Sequence, residues 1–95
     1  MNLEEANDVL WQEIARLREL PYSELKLRVQ NHFVQAMEIE RPSGVRYQLE
    51  VQAFWDFQPE GNIRIIVDID GGAVPATRPL TRGFIKAPDG TFIGE

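Results

Sequence analysis

Asp68 and Asp70, in the run Ile65-Ile66-Val67-Asp68-Ile69-Asp70-Gly71-Gly72, carry the strand-then-DxDG spacing that aspartate-nucleophile phosphoryl transfer uses. That chemistry places the first aspartate as nucleophile and the second as acid at the carboxyl end of a central parallel strand, with a lysine and magnesium ligands brought in by further motifs. Only 25 residues follow Asp70. Parallel strands need crossovers of a dozen or more residues, and every connection between strand-like segments here is of hairpin length. Alternation instead sends Asp68 and Asp70 to the solvent side of an antiparallel strand, with Arg64 and Ile66. A calcium loop starting at Asp68 fails as well, because Gly72 and Pro79 stand where an acid and the closing glutamate are required.

A looser carboxylate site survives these exclusions. The expected strand register sets Glu50 opposite Asp70 with Asp68 next along the strand, so Glu50, Asp68 and Asp70 are the candidate ligands for a divalent cation. The competing reading is a solvated acidic face, since lone carboxylates carry little specificity. Nucleophilic catalysis is poorly supplied: there is no cysteine, His32 is the only imidazole, and Ser23 and Ser43 are the only serines. A histidine in a short helix-to-strand loop is more often a cap or surface residue than an acid-base catalyst. Gly71-Gly72 is followed by Ala73-Val74-Pro75, which offers no helix start to cradle a phosphate. Among the aromatics, Tyr47, Trp55 and Phe57 are expected in the core. Phe54 is paired in the expected register with Ile66 on the outer face and flanked by Asp56 and Arg64. An apolar spot rimmed by charge suits a small binding patch, and a cross-strand pair covered by the C-terminal hairpin is the alternative.

Positioning these residues requires a helix layer and a sheet. From Asn2 to Glu19, Leu3, Ala6, Leu10, Ile14 and Leu17 recur at steps of three and four, lining one helical face, with Val9 and Leu20 widening it and Trp11 at its border. Acids crowd the first turns and Arg16 and Arg18 the last, complementing the helix dipole. Pro21 ends this helix and opens a short second one through Arg28, although Leu25, Leu27 and Val29 also alternate as a strand would. Met37 and Ile39 then alternate with Glu38 and Glu40. A loop, Pro42-Ser43-Gly44, leads into a long strand from Val45 to Phe57, with Glu40 facing Arg46, Ile39 facing Tyr47 and Met37 facing Leu49. After the turn cluster Gln58 to Asn62, Ile63 to Asp70 returns, with Phe57 expected opposite Ile63 and Asp56 across from Arg64. Residues 73–83, holding Pro75 and Pro79, read as an irregular connection or an interrupted edge strand, and Phe84–Ala87 with Thr91–Ile93 as a small hairpin about Pro88-Asp89-Gly90.

Bulk properties narrow the function classes. Ninety-five residues suffice for one domain, 1–95, with a single modest core. At 43% hydrophobic and 26% charged residues, the composition is that of a globular chain and too apolar for a disordered one. Net charge is −5, with eleven carboxylates against six cations up to Glu60 and four against four beyond it. Without a basic run there is nothing to displace counterions from phosphates, so nucleic acid is not an expected partner. The absence of cysteine, the acidic N-terminus and the lack of an apolar stretch of about 20 residues favour a cytoplasmic protein that does not span a membrane.

The strings YQLEVQAFWD (Tyr47–Asp56), IRIIVDIDGG, PLTRGFI and APDGTFIGE resemble a group of small uncharacterised bacterial proteins, across about the last two-thirds of the chain. The resemblance implies no activity, ligand or catalytic residue. Ala73-Val74-Pro75-Ala76 departs from that pattern, which carries aromatic residues there, and this weakens the case for a fourth strand.

The expected fold is therefore α+β in two layers, an N-terminal amphipathic helix and a short second helix on one face of a three- to five-stranded antiparallel sheet. The expected function is a non-enzymatic interaction or regulatory domain that meets a protein partner or a second copy of itself, with no cofactor. The rival is a small-molecule-binding or metal-assisted enzyme built on Glu50, Asp68 and Asp70, with His32 in support.

Overall fold

The computed structural model describes residues 3–32 and 34–95. Helix α1 spans Leu3–Arg18 and α2 Tyr22–Gln30, followed by strands β1 (Val34–Glu40), β2 (Arg46–Trp55), β3 (Ile63–Asp70) and β4 (Leu80–Lys86). The strands form one antiparallel sheet in the order β1-β2-β3-β4. Both helices lie on the same side, α1 over β3 and β4, α2 over β2 and β3. The two-layer α+β expectation is met.

The stripe on α1 does what its spacing demands. Ala6, Val9, Leu10, Ile14 and Leu17 are buried against Leu49, Val51, Ile63, Ile65, Val67, Ile69 and Phe84, with Leu25 and Val29 of α2 closing the core. Full burial of such a side chain is worth about 1.5–3 kcal/mol, and neither layer could bury these residues without the other. Leu3 and Trp11 fall outside the seam and are exposed. The expected start of α1 at Asn2 lies outside the described residues. Pro21 stands at the N-cap of α2 with φ −66°, and its carbonyl accepts from the Glu24 and Leu25 amides. That settles α2 as a helix, so the alternation of Leu25, Leu27 and Val29 was incidental, and Leu27 is exposed.

The first hairpin follows the expected register, with Glu40 facing Arg46, Ile39 facing Tyr47 and Met37 facing Leu49. Gly44 takes φ 89° in the Pro42–Gly44 loop. Beneath it, the Glu5 carboxylate of α1 accepts from Ser43 Oγ (2.7 Å) and from Tyr47 Oη (2.9 Å), tying the hairpin to the helix. Burial, and then this bond to Glu5, raise the Tyr47 phenol above its ordinary pKa.

The second hairpin departs from expectation by two residues. Trp55, not Phe57, stands opposite Ile63. The Asp56 amide donates to the Asn62 carbonyl, and the Gly61 amide to Gln58, closing a turn on Pro59 and Glu60. Glu60 has φ 68°, the pattern of a type II turn with proline at its first corner. Phe57 is thereby drawn out of the strand into the loop and is 90% exposed, so it is not a core residue. A shift of two preserves parity, so every other residue keeps its expected face.

Residues 80–86 form a full strand, β4, paired along β3 from Ile69–Leu80 to Ile63–Lys86. The prolines that argued against it lie before it. The expected Phe84–Ile93 hairpin is reduced to a single bridge between Lys86 and Phe92. Gly83 explains how β4 comes so close: a Cβ there would run into the Ile65 carbonyl oxygen.

Candidate functional site

With both helices on one side, the alternate residues of all four strands form a sheet face that neither helix covers. Read across the strands, its rows are Phe54, Arg64, Ile85; then Val34, Gln52, Ile66, Gly83; then Ala36, Glu50, Asp68, Thr81; then Glu38, Gln48, Asp70; then Glu40, Arg46. Of the candidate residues named from sequence, Glu50, Phe54, Arg64, Ile66, Asp68 and Asp70 stand on this face and Asp56 at its end, whereas His32 lies at the end of α2. Their pairings differ from expectation, for the reason given by the Pro59–Glu60 turn. Phe54 faces Arg64, and Ile66 faces Gln52 and Gly83, so the Phe54–Ile66 contact is diagonal at best and not a direct pair. Glu50 faces Asp68, and Asp70 faces Gln48.

Asp56 and Arg64 do meet, through a 2.8 Å bond from Nε to Oδ1. Phe54 is 38% exposed and Val34 54%, while Ile66 is half-buried in a shallow concavity of about 360 Å³ that Gly83, Ile85 and Ile93 also line. Ile85, Val34 and Ile93 were missed from sequence. Ile85 could have been found by continuing the alternation Leu80, Arg82, Phe84, Lys86 on one face, which leaves Thr81, Gly83 and Ile85 on the other.

On the acidic rows, Glu38 accepts from Gln48 (2.7 Å), Glu50 from Gln52 (2.8 Å) and Asp68 from Thr81 (2.6 Å). Arg46 bonds Glu40 at 3.2 Å and lies 3.8 Å from Glu38. Among the described residues no cation pairs with Glu50, Asp68 or Asp70. These three acids border a concavity of about 390 Å³ closed at one side by Ala76 and Pro79. No group of three or more His, Asp or Glu among the described residues is arranged to hold a metal ion.

The phosphoryl-transfer arrangement does not exist here, because Asp68 and Asp70 sit on an antiparallel strand beside an open face. His32 closes the last turn of α2 with φ 49° and is exposed, its side chain making no hydrogen bond among the described residues. Ser43 is engaged by Glu5. Among the described residues no serine or threonine hydroxyl is hydrogen-bonded to the imidazole of His32.

No family model, curated protein or solved structure matches the chain. No helix among the described residues is long and apolar enough to cross a membrane.

Proposed function

We propose that this chain is a non-enzymatic, cytoplasmic protein-interaction domain with a regulatory role, and that the uncovered sheet face is its working surface. The observation that supports it is the one-sided architecture: helices bury one face of the sheet and leave Phe54 and Val34 exposed on the other, with Ile66 and Ile85 half-buried beside Ile93 and Gly94 of the C-terminal segment. Apolar residues rimmed by Arg64, Asp56 and Gln52 have the composition of a partner-binding patch. The expected result is that Phe54→Ser and Ile66→Ser each abolish capture of a specific partner, or dissociate a dimer seen by light scattering, while the melting curve stays cooperative. A strict monomer whose captured partners are the same with and without these substitutions would remove the proposal.

One observation favours a second reading, a small-molecule- or metal-binding enzyme: Glu50 and Asp68 face each other at a concavity. Calorimetry with magnesium, manganese or calcium decides it, since that reading requires heat of binding and a raised melting temperature. Neither is expected.

A further inference from the structure

The uncovered face changes character along the strand direction. Its rows toward the Phe57 turn are apolar apart from Arg64 and Gln52, whereas the rows beyond hold Glu38, Glu40, Glu50, Asp68 and Asp70 against Arg46 as the one cation. Arg46 is already committed to Glu40 and Glu38. Glu50 and Asp68 face each other across adjacent strands, and like charges directly opposite one another disfavour pairing. A cation delivered from outside relieves that repulsion.

We infer that this face docks a basic protein surface, whose apolar side chains cover Ile66 and Ile85 and whose lysines or arginines reach Glu50, Asp68 and Asp70. The inference rests on the interaction-domain reading and adds the charge of the partner. A second copy of the chain stacked face to face does not fit this surface. A twofold axis lying in the interface sets the acidic half either on its own image, which stacks like charges, or on the copy's apolar half, which buries carboxylates without partners. Polyanions are repelled by the same five acids. Four strands about 4.8 Å apart and about 23 Å long offer roughly 450 Å², short of the roughly 800 Å² per partner of a standard interface. The contact is therefore weak and fast, or extends over the exposed Phe57 turn, and its on-rate depends steeply on salt.

The test is chemical-shift mapping on the ¹⁵N-labelled full chain with three probes: an alternating lysine–valine octapeptide, its glutamate–valine counterpart, and spermine. The lysine–valine peptide is expected to move the amides of Gln48, Glu50, Gln52, Ile66 and Asp68, and to bind about tenfold more weakly when NaCl rises from about 20 to about 300 mM. Glu50→Gln with Asp68→Asn, which keeps side-chain shape, is expected to weaken it about tenfold without lowering the melting temperature, and Asp70→Asn alone is expected to act in the same direction. Equal binding of the glutamate–valine peptide at the same residues overturns the inference and leaves the interaction-domain reading standing. Spermine reproducing the shifts at equal affinity also overturns it, in favour of a small-cation site. If no probe perturbs the face, the inference and the reading it rests on both fall.

Discussion

Lys86 is buried at 7% exposure, yet it is the residue whose role the sequence hid most completely. Its Nζ donates to the Arg18 and Leu20 carbonyls at 3.0 and 2.7 Å, satisfying the C-terminal end of α1 from a strand sixty-odd residues away. Only tertiary structure creates such a cap, because helix ends leave four carbonyls without local donors. Lys86→Met is expected to destabilise the fold by about 2 kcal/mol, since buried carbonyls lose their donor, and urea denaturation measures it. Arg18 beside it lies over the Phe92 ring, 3.7 Å from its centroid, and forms a two-pronged bond with Glu95. That bond to Arg18 lowers the Glu95 pKa, as bonds to Thr91 lower that of Asp89. A carboxyl whose native pKa is depressed contributes stability that is full above its unfolded value, about 4, and is lost as pH falls through the native one. Thermal melts of the parent and Glu95→Gln should therefore differ at pH 7 and converge as the pH drops below about 4. A gap that persists at low pH would contradict the ion-pair account.

Among the elements, those with strong periodicity were legible in the chain. The three-and-four spacing of Ala6 to Leu17 and the strict alternation of Ile63 to Ile69 located α1 and β3 and assigned their buried sides correctly. Turns were less legible, because two placements of the Gln58–Asn62 turn differing by two residues satisfy the same alternation. Only the backbone decision at Pro59 and Glu60 separates them, and that decision moved Phe57 into solvent and paired Glu50 with Asp68. Phe57→Ser should accordingly change unfolding free energy by no more than about 0.5 kcal/mol, whereas Ile65→Ala, in the centre of β3, should cost about 2–5 kcal/mol. Strand β4 was obscured by Pro75, Pro79 and Gly83, residues that normally interrupt strands. Gly83 instead lets β4 approach the Ile65 carbonyl. Gly83→Val is predicted to prise β4 from β3, seen as a lowered melting temperature and loss of amide protection from Thr81 to Ile85. Unchanged protection would show that β4 tolerates a Cβ there.

For the whole molecule, the uneven acid was visible in composition but its gathering on one open face was not, because that depends on the register and on both helices choosing the same side. Glu50, Phe54, Arg64, Ile66, Asp68 and Asp70 share one face for a simple reason, the parity of strands. Their neighbours Ile85 and Val34 escaped notice because they come from the two edge strands, whose patterns are the shortest. Everything proposed about function turns on the uncovered face being the surface that partners touch. Photo-cross-linking from benzoylphenylalanine placed at Gln52 on that face, or at Gln12 on the exposed side of α1, tests this most directly. A discrete adduct from position 52 alone, with a protein that rebinds when purified and fails to bind Phe54→Ser, is the predicted result. Adducts of equal yield from position 12, or none from position 52, would contradict it.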